Sequence, residues 1–408
     1  MGNIQRRSVN SPERCSPAIC VATSFEMAWS DHRRLKVFHF ISDSISIRPY
    51  LEVLGRCSDP QKFEVSYGSL SPSGLLQQEL GAAGFKVLAL GCTTRQDYPR
   101  AIWRLRNWLV AEQIDVIQTH LFEGSLVGLA AARLAGVPLA ILSGHHSHEI
   151  ALHHRKIPLW ADRIATNWLA HRIIAYSTQM RDTFVREEGV GSGKIGVLPF
   201  PIDLSGWTRD EAYRAETRKR LGLEGKIILG AVGRMFWVKD YDLLLRAFVA
   251  IAAKWQEAAL VLIGDGPDRA QLQRLAQELS ISDRVTFVDY QSDLPRMMTV
   301  MDVFVHPSRA EAFCQVIVHA FSLGIPVIST DVGVARELVE DGVTGVLVPP
   351  GDLESLRNGL EVMMVQRALW REMGAEGRRR IERFSAAPAV ARHEEQYVAW
   401  LDEQHQRR

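Results

Sequence analysis

The chain has 408 residues, too many for one ordinary core and enough for two domains. Hydrophobic residues make up 47% and charged residues 23%, the balance of a soluble globular protein. Lys plus Arg total 48 against 47 Asp plus Glu, so the basic excess of a dedicated nucleic-acid binder is absent. Residues 1–34 read as a polar, poorly ordered extension. Ala18–Ala22 is too short for a signal-peptide core, and no apolar run approaches the ~18 residues of a membrane span. Met1-Gly2 opens like a myristoylation site, but Arg6 stands where Ser or Thr is needed. The cysteines are Cys15, Cys20, Cys57, Cys92 and Cys314. They form no C-x-x-C pair and suit a reducing compartment, so a cytoplasmic location is expected.

Leu35–Ile41 is a short apolar run ended by Ser42-Asp43-Ser44 and reads as a buried strand. A helix over Gly74–Gly81, a strand over Phe85–Leu90 and a helix over Pro99–Glu112, with Pro at its favoured start, follow. Then come a strand (Ile114–Thr119), a helix (Ser125–Ala135) closed by Gly136, and strands at Pro138–Leu142, Arg172–Tyr176 and Ile195–Leu198. Pro199 and Pro201 end this series, and Thr208–Arg220 is densely charged. The alternation restarts with strands at Ile227–Val232, Leu260–Ile263, Val285–Val288, Val303–His306 and Pro326–Ser329. Helices are expected at Asp242–Trp255, Asp268–Leu279 and Glu311–Leu323, and a last one at about Ala387–Gln404. Alternating strands and helices predict an α/β fold with two doubly wound parallel-sheet domains. The boundaries are 35–205 and 206–384, with 385–408 crossing back onto the first domain. The cleft between them is the place for a ligand.

Four motifs carry chemistry. Gly233-Arg234 follows the strand Ile227–Val232, with Lys239 five positions on. Gly233 allows a tight turn, and two cations beside a helix start suit a diphosphate. His306 to Gln315 runs from a strand end into a helix start and includes Ser308, Glu311, Phe313 and Cys314. Read as the first turn of a helix, Glu311 stands among free backbone N–H groups, and His319 lies two turns on along the same face. Asp331-Val332-Gly333, Glu337, Asp341-Gly342, Gly345 and Val348 to Asp352 are, alone, turn signals. His120 follows the strand Ile114–Thr119, at a carboxyl edge where substrate gathers. The run His145, His146, His148, His153 and His154 matches no usual zinc spacing, so donor or acceptor contacts are expected there rather than a metal. Gly264-Asp265-Gly266 lacks the third glycine of a dinucleotide fingerprint and reads as a turn into a helix.

From Leu35 onward the chain resembles the family 4 glycosyltransferases, with the GT-B fold of two facing Rossmann-like domains. The resemblance rests on Gly233-Arg234 with Lys239, Ile263 to Pro267, Val285–Val288, Pro307-Ser308 with Glu311 and Phe313, Gly324 to Ile328, and the Gly333 to Asp352 series. Asp115-Val116, His120, Leu134 to Pro138 and His145 or His146 carry a looser match. The resemblance implies a retaining transfer from a nucleotide sugar, UDP- or GDP-linked, with no cofactor or essential metal. It implies that Arg234 and Lys239 bind the donor diphosphate, that Glu311 touches the donor sugar, and that Phe313, Cys314 and Gln315 offer it backbone amides. Position 319 would hold the ribose, Tyr290-Gln291 would lie near the base, and His120 and His145 would line the acceptor and donor-sugar side. The acceptor would be a carbohydrate, lipid or small molecule.

Three positions depart from the family pattern. His319 stands for a second Glu, Cys314 for a Gly, and Ser42-Asp43-Ser44-Ile45-Ser46 for a Gly-rich loop. They motivate a second reading, a donor-binding pseudo-transferase, beside a third, a non-hydrolysing nucleotide-sugar epimerase. Epimer formation without an acceptor would mark the epimerase. Basic residues beside tryptophans, Arg100, Arg104 and Arg106 with Trp103 and Trp108, then Lys156, Trp160, Arg163 and Trp168, raise peripheral association with an anionic membrane. A helix packed on its own sheet is the plainer reading of the same residues.

Overall fold

The structure is a computed structural model, which describes residues 33–44, 48–145, 163–290 and 293–406. The first sheet holds β1 (Leu35–Ile41), β2 (Phe63–Ser69), β3 (Lys86–Ala89), β4 (Val116–His120), β5 (Leu139–Ser143), β6 (Arg172–Ala175) and β7 (Ile195–Val197). Their order is β3-β2-β1-β4-β5-β6-β7, and every pair is parallel. The second sheet holds β8 (Ile227–Val232), β9 (Ala258–Ile263), β10 (Val285–Val288), β11 (Val303–His306), β12 (Val327–Thr330) and β13 (Gly345–Val348). Its order is β10-β9-β8-β11-β12-β13, again parallel throughout. Parallel strands need covered crossovers, so both faces are buried and strands such as AALVLI carry apolar residues at every position.

Each sheet reverses its winding once, between β1 and β4 and between β8 and β11. Such switch points open a crevice at the strand carboxyl ends. His120 ends β4, Gly233 follows β8 and His306 ends β11, so three of the sequence motifs stand at the two crevices.

Around the first sheet lie α1 (Arg48–Cys57), α2 (Leu75–Ala82), α3 (Tyr98–Glu112), α4 (Phe122–Ala135) and α5 (Thr178–Arg186). Around the second lie α6 (Glu211–Arg220), α7 (Tyr241–Lys254), α8 (Arg269–Glu278), the short α9 (Leu294–Met298), α10 (Gln315–Ser322), the short α11 (Ala335–Leu338), α12 (Leu353–Val365) and α13 (Trp370–Arg380). The final helix α14 (Ala386–Gln406) returns to the first sheet. There Glu394 accepts from the Ser58 hydroxyl at 2.5 Å, and Tyr397 donates to the buried Gln118. Among the described residues no helix is long and apolar enough to cross a membrane.

Several elements differ from the sequence reading. Helix α1 and strand β2 were absent from it, because FEVSYGS mixes Glu, Ser and Gly into a strand that is nonetheless mostly buried. Most of the charged stretch 208–220 is helix α6, which the sequence reading left unassigned. Its Asp210 caps the Tyr213 amide at 2.9 Å, and Arg214 and Arg218 both clasp Asp302, at 2.5 and 2.8 Å. Gly345–Val348 is a strand where only turn signals were read. Helix α10 starts at Gln315, four residues later than expected, because Cys314 takes a left-handed conformation (φ +76°) that no helix can include. Glu311 therefore sits in a loop ahead of the helix. The two-turn argument relating it to His319 does not apply.

Candidate functional site

Gly233 leaves β8 with φ +151°, a conformation that disfavours any side chain. The turn packs backbone on backbone. A Cβ on Gly264 would come within 2.1 Å of the Gly233 carbonyl oxygen, and one on Gly266 within 2.2 Å of that of Met235. The chain then makes a short 3-10 turn, Trp237–Lys239, and enters α7. Arg309 fastens this turn to the loop after β11: its guanidinium donates to Asp240 at 3.0 Å, and its amide donates to the Val238 carbonyl at 2.8 Å. Two segments some seventy residues apart in sequence are thereby held edge to edge.

Their side chains meet at Glu311. Its Oε1 accepts from Lys239 Nζ at 2.5 Å and from the Ser308 hydroxyl at 2.9 Å, and lies 3.3 Å from His306 Nε2. His306 Nε2 is in turn 3.1 Å from Cys314 Sγ. Burial alone would raise the Glu311 pKa, but the Lys239 ammonium and His306 outweigh it and hold the carboxyl well below its ordinary range. Burial pulls Lys239 down, while Glu311 more than restores it, so the ammonium titrates above its usual value. At neutral pH the pair is Lys⁺ and carboxylate. Glu311 can accept hydrogen bonds from hydroxyls but has no proton to give. Burial keeps His306 neutral and pushes the Cys314 thiol well up.

Arg234 is exposed, with its guanidinium 6.0 Å from the centre of the Phe236 ring. The two cations thus differ: Lys239 is tied to Glu311, and Arg234 faces solvent. Gln315 is exposed at the start of α10, Phe313 is buried, and Tyr290 beyond β10 is 71% exposed. Gln291 lies outside the described residues. His319 is covered by the indole of Trp207, stacked at 3.7 Å with a 13° tilt, and its shielded Nδ1 has no hydrogen-bond partner. Burial drops its pKa to about 3, so the ring is neutral.

The opposite wall is built from histidines. His39 on β1 and His120 on β4 are fully buried, and His39 Nδ1 lies 3.2 Å from His120 Nε2. His120 Nδ1 lies 2.9 Å from Nε2 of the half-buried His145. Three imidazoles thus form one hydrogen-bonded row from the sheet interior outward. His120 sits one layer beneath the surface, behind His145, rather than at the open edge expected from its sequence position. His146, His148, His153 and His154 lie outside the described residues. Sequence reading missed His39, which only the pairing of β1 with β4 brings beside His120, two residues before the Ile41↔His120 pair.

The two walls touch. Tyr176 lies tilted against His145 and edge-on to Phe200, and Phe200 stacks on Phe313 with ring centres 5.1 Å apart. The Ser177 hydroxyl donates to the Ala312 carbonyl at 3.0 Å, and Glu337 accepts from the Thr178 amide at 2.7 Å. Gln179 accepts from the Gly333 amide. Gly333 has φ +57° and backs directly onto Glu311 and Phe313. Gly333 and Glu337, read from sequence only as turn signals, therefore join the two domains beside the Glu311 loop.

Residues 213–380 match the family described as "Glycosyl transferases group 1", and residues 50–205 match "Glycosyltransferase Family 4". A GDP-mannose-dependent alpha-mannosyltransferase of Mycobacterium tuberculosis is 32% identical over 249 residues, covering 59% of this chain and 61% of that protein. A GDP-mannose-dependent alpha-(1-6)-phosphatidylinositol monomannoside mannosyltransferase of the same species is 27% identical over 307 residues, 73% of this chain and 79% of that one. The match to alpha-D-kanosaminyltransferase of Streptomyces kanamyceticus, 29% identical, covers 57% of this chain and 63% of that protein. Among solved structures, HepE of Anabaena in complex with UDP superposes with a TM-score of 0.77 at 20% identity, covering 90% of this chain and all of that one. At that identity the likeness speaks for the fold. With both halves matched in order, two facing parallel sheets and a site where they meet, the chain belongs to the family 4, group 1 glycosyltransferases of GT-B fold.

Proposed function

We propose that the chain transfers a hexose or N-acetylhexosamine from UDP- or GDP-sugar to a hydroxyl acceptor, in polysaccharide, glycolipid or glycoconjugate synthesis, with retention at the anomeric carbon. The observation that carries this reading is the Lys239–Glu311 pair at 2.5 Å, held beside Gly233 at a switch point. On donor entry Lys239 and Arg234 grip the diphosphate and offset the charge that grows on the leaving phosphate. Glu311 accepts from the donor-sugar hydroxyls. Being ionised, it does not protonate the leaving group. The departing phosphate oxygen takes the acceptor proton on the same face, through an oxocarbenium-like transition state. On this reading no metal is needed, since Arg234 and Lys239 supply the positive charge for the diphosphate. His145, backed by His120, lines the sugar side, and Tyr290 with Gln291 the base side. His319 under Trp207 gives the ribose at most one hydrogen bond.

Two of the relatives named above are GDP-mannose-dependent alpha-mannosyltransferases, which supports a nucleotide-sugar donor here. The test is a thermal-shift screen against UDP, GDP, ADP and TDP, followed by sugar transfer in chelator. One nucleotide should raise the midpoint in proportion to its affinity, and transfer should require an acceptor. Epimer formation without an acceptor would refute the reading.

Peripheral association with anionic membrane is a separate proposal for the basic and tryptophan residues, beside the plainer reading of a helix packed on its own sheet. Trp103 and Trp168 are 61% and 76% exposed, near exposed Arg100 and Arg163, whereas Trp108 packs on Phe38 and Arg104 bonds the Leu90 carbonyl. Failure to pellet with anionic liposomes at low salt would remove this part.

A further inference from the structure

The family's reaction uses Glu311 and Lys239, but it gives no role to the group of side chains packed behind them. His306 Nε2, a Glu311 oxygen and Cys314 Sγ all lie within 4.8 Å of one another. The individual edges are 3.3 Å from nitrogen to carboxylate and 3.1 Å from nitrogen to sulfur. A tetrahedral zinc, with Zn–N of about 2.1 Å and Zn–S of about 2.3 Å, requires ligand-to-ligand edges of roughly 3.5 Å. Two of the three edges are therefore within about 0.5 Å of that spacing, and the third, from carboxylate to sulfur, is no longer than 4.8 Å. The triad stands on rigid supports. His306 ends a central strand, Cys314 is fixed by its left-handed backbone at the head of α10, and Glu311 is wedged against Gly333.

We propose that His306, Glu311 and Cys314 form a site for a thiophilic divalent cation, zinc or cadmium, which inhibits the enzyme by taking Glu311 away from Lys239. The donor set of one imidazole, one carboxylate and one thiolate selects such ions. Magnesium and calcium, which prefer six or more oxygens, gain nothing from it. Burial and Glu311 disfavour a free thiolate at Cys314, so the ion itself must supply the positive charge that holds the sulfur ionised, with the Val316 and Ile317 amides at the helix start as minor help. The thiol proton leaves to solvent as the metal–sulfur bond forms. Lys239 is the ion's competitor for Glu311. The side chains of Glu311 and Lys239 are 14% and 20% exposed, so solvent reaches the edge of the triad, and water or a phosphate oxygen would complete the coordination. The sequence spacing, His-x4-Glu-x2-Cys, differs from the C-x-x-C pairs of common zinc sites.

The inhibitory consequence rests on Glu311 being the donor-sugar contact; the cation site itself does not. The full chain is stripped with chelator and titrated with zinc against a chromophoric competitor, then with cadmium while the ultraviolet thiolate-to-metal absorption is recorded. One zinc per chain at micromolar or tighter affinity, with a cadmium–thiolate band, is expected. Cys314→Gly suits the backbone at that position and should lose the band and at least about 100-fold in affinity. His306→Asn should keep the band and lose similar affinity. No zinc bound at 100 µM free ion, or binding unchanged in both variants and thus owed to the other cysteines and histidines, overturns the proposal. Sugar transfer in chelator, measured alongside, reports separately on the proposed function. Transfer that survives chelator but is unaffected by bound zinc would overturn the inhibition and leave the transferase reading intact.

Discussion

Replacing Lys239 by Met isolates the electrostatics of the site. The substitution keeps most of the side-chain volume and removes the ammonium 2.5 Å from Glu311. What remains around the carboxylate is one hydroxyl, from Ser308, and a neutral imidazole, from His306. Breaking a buried ion pair from one side costs about 3–5 kcal/mol. A second limit applies, because the carboxyl can escape by taking a proton. From its ordinary value of 4.5, protonation at pH 7 costs about 3.4 kcal/mol, at 1.36 kcal/mol per unit. The expected loss is thus about 3 kcal/mol at pH 7, or roughly 6–12 °C in melting midpoint for a domain of this size.

The sign with pH is specific. In the wild type the depressed Glu311 contributes stability that is present above the ordinary carboxylate range and lost on acidification. In the variant burial raises the same group, so its contribution is favourable in acid and fades as pH rises. The gap between the two proteins should be small near pH 4.5 and widen toward pH 7.5, as read by thermal unfolding in matched buffers. Adding Glu311→Gln to Lys239→Met should restore most of the midpoint at neutral pH. A gap below about 1 kcal/mol, or one independent of pH, would refute the reasoning.

Arg234→Ala should move the midpoint by no more than a degree or so, because the side chain is exposed, yet weaken diphosphate binding by about 10–100-fold in calorimetric titration. Burial depresses His39 and His319 to about 3 and His393 to about 4. Their stability is present above the unfolded value near 6.5 and is lost as pH falls from there toward 3, at roughly 2 kcal/mol per histidine by pH 5. His39→Gln should make the acid limb of the midpoint–pH curve visibly shallower. Glu394 shifts the other way: burial lifts it to about 7 despite its bonds from Ser58 and Asp59, so its ionisation opposes the docking of α14 as pH rises. Glu394→Gln should stabilise the protein by up to about 3 kcal/mol at pH 8 and hardly at all at pH 5, by thermal unfolding. Gly264→Ala would set a methyl 2.1 Å from the Gly233 oxygen at φ +141°, and should cost several degrees and donor affinity together.

The second domain was far more legible than the first. Its strands β8 and β9 are unbroken apolar runs, the others are mostly apolar, and Gly233, Gly264, Gly324 and Gly333 mark backbone positions that only glycine adopts easily. The first domain hides β2 among polar letters and α1 after a serine-rich loop, since burial there is decided by neighbours rather than by composition. Three site relations had no sequence signal. The Lys239–Glu311 pair joins residues 72 apart. The His39–His120–His145 row depends on which strands lie side by side. The Glu337–Thr178 bond crosses between domains. Periodicity finds elements, whereas pairing across a sheet order is set by the crossovers. Cys314 shows the opposite limit. A helix was read straight through it, because a left-handed residue leaves no trace in the letters unless it is glycine.

The account stands on a diphosphate held between Arg234 and Lys239 at the carboxyl end of β8. A crystal structure of the full chain with the nucleoside diphosphate that gives the largest thermal shift tests this directly. Phosphate oxygens within hydrogen-bonding distance of both cations, with Glu311 opened toward the sugar side, are the predicted result. Density for the nucleotide on the His145 side of the cleft, with both cations turned away from it, would contradict the account.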